Sequence, residues 1–197
     1  MLDKSLAFLK LLRELEKVER TIFRPNDKRE NDVEHSYQVA MMSWFLSDKF
    51  GLNLSSDKLL KYALVHDLIE AYSGDTCVYV KNPAISTNPI ETKEEREAEA
   101  FSKVKKEFGD FRELIEIIEA YEAKKDEESI FVYEVDKILP PLNAYLDNGY
   151  GWNKLGLTLE EVKNEKRKKI THTKQLIALL EEALSRFEKE ESKLFVN

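Results

Sequence analysis

Leu59–Tyr72 reads LLKYALVHDLIEAY. Leu59, Leu60, Tyr62, Ala63, Leu64, Val65, Leu68 and Ile69 cover nearly the whole circumference of a helix, and apart from Lys61 the polar interruptions are His66, Asp67 and Glu70. A helix that is apolar all round is buried on most sides. His66 lies seven residues beyond Leu59 and shares its face; Glu70, four residues further, projects from that face too. Unpaired buried charge costs several kcal/mol or neutralises itself. An imidazole and two carboxylates in this setting therefore call for cationic partners or a metal ion. Taken alone, the His-Asp pair reads more readily as a hydrogen-bonded pair at a helix contact.

Two segments on either side change that balance. ENDVEHSYQVAMMSWFLSD, residues 30–48, places His35 in the first turn of an apolar helix with Val39, Met42 and Phe45. FVYEVDKILPPLNAYL, residues 131–146, places Asp136 among Phe131, Val132, Val135, Ile138 and Leu139. Three mostly apolar helices each offer a metal-competent ligand, which makes a set of two histidines and two carboxylates.

The rest of the chain is helical in pattern as well. Residues 4–18 put Leu6, Leu9, Leu12, Leu15 and Val18 on or near one face. A polar segment with Pro25 follows, and Asp32 is the expected N-cap of a helix reaching Phe50 and ended by Gly51. Ser55 or Ser56 caps the next, which runs to Tyr72. SGDTCVYVKNPAISTNPIE, residues 73–91, has no helical period and reads as a long ordered loop of the kind that tends to be functional. TKEE at Thr92–Glu95 and TLEE at Thr158–Glu161 are capping boxes. Helices are expected to Phe108, near 110–124, near 128–146 with a kink at Pro140–Pro141, and near 159–190; Gly149, Gly151 and Gly156 break the chain before the last. The fold class is all-α, a compact single-domain bundle of six to eight helices over residues 1–197, with its core motifs within 20–140.

At 197 residues, 42% apolar and 35% charged, the composition is that of a globular protein with a real core. The net charge of -7 and a pI near 5.2 argue against stable nucleic-acid binding, which needs excess Lys and Arg. A small anionic substrate remains compatible, because a local group of cations can act inside an acidic protein. Cys77 is the one cysteine, so no intramolecular disulfide forms, which fits a reducing compartment. Neither a signal peptide nor a membrane span is legible, and the expected location is the cytoplasm.

Three pieces stand in a familiar order and spacing: RENDVEHS at Arg29–Ser36, HDLIEAYSGDT at His66–Thr76 and YEVDKI at Tyr133–Ile138. On these the chain resembles the HD-domain metal-dependent phosphohydrolases, most of all the 5′-deoxynucleotidase-like branch, over roughly residues 5–185. The resemblance implies a helical bundle of the HD-domain type with His35, His66, Asp67 and Asp136 as metal ligands. It implies Glu70 as the acid that activates or orients the attacking water. Asp75, in the Gly-Asp-Thr turn with Thr76, is placed near the substrate phosphate and sugar, and Arg20 is associated with phosphate binding. Val33 stands where the first motif usually has Ala. Thr21 stands where bacterial members carry Trp.

The implied activity is hydrolysis of the phosphomonoester of a (deoxy)nucleoside 5′-monophosphate. The mixed nitrogen and oxygen set suits Mn, Co, Fe, Ni, Zn or Mg, and such an ion would acidify water and offset charge on phosphoryl oxygens. Arg20, with Arg29 or Lys137, is expected to neutralise the remaining phosphate oxygens. The chain has three histidines; His172, in KRKKITHTK, reads as structural, so one divalent ion per chain is expected. Glu34 orients the His35 ring or is simply solvated. Trp152 and Phe23 read as core or lid packing before base stacking, and Cys77 as a small buried hydrophobe.

Two other readings stay open. One is an HD hydrolase acting on a triphosphate, a cyclic nucleotide or an alarmone. The other is a non-catalytic metal- or nucleotide-binding sensor module. Apolar helices at both ends of the chain, with the resemblance, also suggest a homodimer.

Overall fold

A computed structural model describes residues 1–75 and 93–196. Among them, eight helices have ten residues or more: α1 (Leu2–Leu15), α2 (Asp32–Lys49), α3 (Ser56–Val65), α5 (Lys93–Phe108), α6 (Arg112–Ala123), α7 (Glu127–Leu146), α9 (Leu159–Lys169) and α10 (Lys174–Lys189). Three short ones, α4 (Glu70–Ser73), α8 (Tyr150–Leu155) and α11 (Glu191–Leu194), take the count above the expected range. The all-α class holds. None of the described helices is long and apolar enough to cross a membrane. Most of the loop expected at 73–91, with Thr76, Cys77 and the Thr92 cap, lies outside the described residues.

The core has two parts. One joins Val39 of α2, Leu59 and Tyr62 of α3, Val132, Val135 and Ile138 of α7, and Leu176, Leu180 and Leu184 of α10. The other joins Leu11 and Leu15 of α1, Val65, Leu68 and Ile69, Val104 of α5 and Ile118 of α6. Of the α1 face read from sequence only Leu15 is buried; Leu6, Leu9 and Leu12 stay exposed while Leu11 carries the packing. Because Tyr62 and Ala63 belong to one part and Val65 to the other, His66–Asp67 falls on the seam between them.

Four local expectations need correction. The polar segment before α2 is an antiparallel ribbon, β1 (Glu19–Phe23) and β2 (Arg29–Asn31), turned by Pro25–Asp27 with Asn26 and Asp27 at positive φ. The N-cap of α2 is Asn31: its side chain accepts from the Glu34 N–H at 2.8 Å in a reciprocal capping box, and Asp32 turns inward. The helix read through Tyr72 ends at Val65. His66–Ile69 is a run of tight turns in which Leu68 donates to Val65 (3.0 Å) and Glu70 to Asp67 (2.9 Å). The helix read over 159–190 breaks at Ile170–Thr173, where buried Glu134 of α7 accepts from the N–H groups of Thr171, His172 and Thr173 at 2.6–2.9 Å. By contrast α7 remains one helix through Pro140 and Pro141.

Candidate metal centre

One ring of the histidine pair has its tautomer fixed by what its outer nitrogen meets. His66 Nδ1 lies 2.8 Å from the Ala63 carbonyl oxygen, which only accepts, so Nδ1–H donates and Nε2 keeps its lone pair. His35 Nδ1 lies 3.1 Å from a Glu30 carboxylate oxygen and Nε2 2.9 Å from Asp136 Oδ1, so a carboxylate faces each nitrogen and the ring can carry a proton on either or on both. The rings are 5.3 Å apart, and the edge of Tyr121 braces His66 at 6.1 Å.

Both inner nitrogens then face carboxylate oxygens. His35 Nε2 is 2.9 Å from Asp136 Oδ1. His66 Nε2 is 3.0 Å from Asp67 Oδ2, yet that contact lacks hydrogen-bond geometry and the buried Nε2 has no hydrogen-bond partner. At His66 a lone pair thus faces a carboxylate oxygen at hydrogen-bond distance, and at His35 a carboxylate faces each nitrogen; a proton or a cation relieves both arrangements. Ligand atoms of His35, His66 and Asp136 all lie within 4.8 Å of one another, and so do those of Asp32, Asp67 and Glu70. His35, His66 and Asp136 make a donor set that fits a divalent ion, while Asp67 falls in the second group and reaches the first through its Oδ2, 3.0 Å from His66 Nε2.

The electrostatics agree. Burial and Arg20 push the His35 pKa down, but hydrogen bonds to Asp136 and Glu30 outweigh them and the net shift is upward. Burial pushes Asp136 up, and Lys137 and His35 more than reverse it, holding its carboxyl well below the usual range. Asp67 is likewise lowered, burial being outweighed by His66 and Arg20. Glu70 goes the other way. Burial and the charges of Asp67, Asp32 and Asp75 raise it well above an ordinary glutamate, and its Oε2 has no hydrogen-bond partner among the described residues. Asp32, wholly buried, is pushed up to about 7 by burial and Asp67.

Arg20 comes from β1 and reaches both carboxylate groups, with Nη1 2.7 Å from Asp67 Oδ2 and 3.2 Å from Asp32 Oδ1. The ribbon, invisible as such in the sequence, is what brings it there. Asp75 accepts from the Thr21 backbone N–H at 3.2 Å, fastening the end of the His66–Asp75 segment to the same strand. Lys137 Nζ sits 2.6 Å from Asp136 Oδ2. Arg20, Asp75, Asp136 and Lys137 all line one cavity of about 350 Å³ that opens beside the histidines.

Two expected residues fall elsewhere. Arg29 stacks on Phe23 at 4.9 Å and lies 3.9 Å from Glu19, and it is not among the residues lining the cavity. Glu34 is the N3 member of the capping box and pairs with Lys28, so it does not orient His35. Glu30 does: it is buried between His35 and Arg24, whose Nη2 is 2.6 Å away. Strand alternation carries the signal, since Glu30 points inward between half-exposed Arg29 and Asn31. Asp32, also missed, stands at the first helical position and points to Arg20. His172 is exposed, away from the centre.

Fold and site together define a helical protein whose bundle seam forms a buried candidate metal centre beside a cavity. The chain belongs to the HD domain family, whose model matches residues 12–178. It is 34% identical over 136 residues to mouse (Mus musculus) 5′-deoxynucleotidase HDDC2, a match spanning 67% of this chain and 64% of the relative. Human (Homo sapiens) HDDC2 is 32% identical over 67% of this chain and 62% of its own length. The chain therefore spans a little under two thirds of these curated relatives. A solved structure from Magnetospirillum magnetotacticum, named a predicted metal-dependent phosphohydrolase, superposes with a TM-score of 0.79 at 23% identity, covering 96% of this chain and 94% of that one; at that identity the likeness is one of fold.

Proposed function

We propose that this protein is a metal-dependent phosphohydrolase that cleaves the phosphomonoester of (deoxy)nucleoside 5′-monophosphates. The observation that carries it is the pair of imidazole nitrogens facing carboxylate oxygens at 2.9 and 3.0 Å, with a cationic cavity alongside. His35, His66, Asp67 and Asp136 would hold one divalent ion, which when bound supplies an acidified water and charge neutralisation for the phosphoryl group. Arg20 and Lys137 would bind the non-bridging phosphate oxygens. Asp75, anchored to Thr21, would orient the sugar side of the substrate. Glu70, whose carboxylate groups with those of Asp67 and Asp32, would take a proton from the attacking water. The names of the curated relatives support this choice over a triphosphate, cyclic-nucleotide or alarmone substrate, and the preserved acid set supports a hydrolase over a sensor module.

The test is phosphate release from a panel of nucleoside monophosphates in Mn, Co, Mg or Zn. Turnover of at least one is expected, and none with any metal would remove the proposal. Glu70→Ala should retain the metal by elemental analysis and lose activity by about a hundredfold or more; a fully active variant would reassign the proton acceptor.

The proposal extends to a homodimer. The exposed side of α2 carries Val33, Tyr37, Met41 and Trp44 at helical spacing, with Phe45 beside them, an apolar stripe of a kind that marks contact surfaces. Sedimentation should give twice the chain mass, and a strictly monomeric protein at micromolar concentration would discard the dimer alone.

A further inference from the structure

The cavity has an apolar wall as well as the groups assigned to the phosphate. Besides Arg20 and Lys137 it is lined by Pro141 and Ala144 of α7, Trp152 and Leu155 of α8, and Leu157. This wall is rigid. Trp152 is buried, stacked on Phe195 at 4.6 Å with the rings 8° from parallel, and meets Phe187 edge-on at 5.3 Å. The preceding residue, Gly151, lies so close to β1 that a Cβ there would come within 2.8 Å of the Phe23 carbonyl oxygen. The apolar wall and the strand that presents Arg20 are thus fixed to each other.

Helix α9 adds polar groups to the lining, Glu165, Lys166 and Lys169. Glu165 and Lys166, consecutive in α9, both line the cavity, and Lys166 Nζ lies 2.8 Å from Glu165 Oε2. Both are well shielded, with side chains 15% and 7% exposed. Neighbouring Arg167 and Lys168 are solvated, as charged residues on such a helix ordinarily are. A lysine is seldom buried without a task, and this one sits in a run that supplies exposed cations in abundance. The pair offers a donor and an acceptor side by side while adding no net charge. The Glu165 carboxylate disfavours a second phosphate at this pair, with Lys169 the remaining cation of α9 in the lining. The pair matches a flat neutral ring with adjacent hydrogen-bond acceptor and donor on its edge, held against an apolar face.

We propose that Glu165 and Lys166 form a base-reading subsite, in which Lys166 donates to a ring carbonyl or ring nitrogen of the nucleobase and Glu165 accepts from the adjacent N–H, with Trp152 and Leu155 flanking the ring. The proposal rests on the nucleotide reading above and deepens it: Lys166 determines specificity for a heterocycle, where Arg20 and Lys137 serve any phosphomonoester.

The test compares 2′-deoxynucleoside 5′-monophosphates with 2-deoxyribose 5-phosphate, which lacks the base, by calorimetry on the full chain in EDTA, where hydrolysis does not interfere. The wild type should bind the nucleotides about tenfold or more tightly than the sugar phosphate, and Lys166→Met should lose most of that difference. Methionine keeps the length and removes a buried charge, so folding should survive, and Lys166→Arg should restore part of the preference. An equal loss for both ligands would make Lys166 a phosphate group and overturn the proposal; so would an unchanged preference, or a wild type without one. A deoxynucleoside 3′,5′-bisphosphate that binds more tightly than the monophosphate through Lys166 would overturn it too, by showing a second anion site. Base preference lost in Lys166→Met, but no hydrolysis by metal-loaded wild type, would sink the hydrolase reading and leave the subsite standing.

Discussion

The division of labour among neighbouring acids is set by where each backbone position points. Glu30 and Glu34 flank the same histidine in sequence, yet only Glu30 reaches His35. A glutamate that accepts from the outer nitrogen of a ligand histidine fixes its tautomer and makes the inner nitrogen a better donor. Glu30→Gln should therefore weaken divalent-metal affinity by about tenfold to a hundredfold, while Glu34→Gln should change it far less. Titration of the metal-free protein with Mn or Co reads both, and equal effects would reject the assignment. The four candidate ligands, Glu70 and Asp75 were nameable from sequence because three short motifs carry them, and Arg20 through the resemblance those motifs support. Glu30 and Asp32 were not, because their roles depend on a strand and on which of two adjacent residues caps the helix.

At the level of elements, a helical wheel misreads the segment after Val65. Tight turns advance about 120° per residue against 100° in an α-helix, so four of them rotate the chain by about 80° relative to a continuous helix. That rotation explains why Glu70 groups with Asp32 and Asp67 and not, as the wheel has it, with the face of His66. The same compression lets consecutive His66 and Asp67 face one centre. Capping carries a second lesson. Asp126 caps α7, accepting from the Ser129 N–H at 2.8 Å and from the Tyr62 hydroxyl at 2.7 Å. Burial raises the Asp126 pKa, but Tyr62 and Ser129 bring it down to about 2. Since the unfolded value is about 3.9, the cap stabilises fully above pH 4 and loses its effect as the pH falls towards 2. Asp126→Ala should cost about 1–2 kcal/mol near neutrality and progressively less in acid. Urea unfolding at pH 7 and pH 3 checks this, and a pH-independent loss would contradict it.

On the scale of the whole molecule, the candidate centre lies where the two halves of the core meet, so α2, α3 and α7 are bound together through it. Divalent ions should therefore raise the melting temperature, by an amount that grows with the logarithm of free metal. His66→Ala and Asp136→Ala should abolish the rise. Scanning fluorimetry with and without Mn decides it, and an unchanged shift in either variant would remove that residue from the ligand set. The class of fold was legible because almost every segment has a helical period and caps to match. The ribbon was not, because β1 and β2 are short and their tip is polar; nor was the break before α10, which depends on Glu134 from a distant helix.

The closing stretch of the described chain bears on all of this from the far side. Gly149 has φ 76°, and a Cβ there would lie 1.8 Å from the Leu194 carbonyl oxygen. Asn153 donates to that same oxygen at 3.0 Å and accepts from the Val196 N–H at 2.7 Å, and Phe195 covers one face of Trp152. Residues 194–196 thus act as a latch on α8. Proteolytic nicking just ahead of Leu194 would leave the histidines and carboxylates in place but free the Trp152 indole to swing, admitting water at the rear of the pocket.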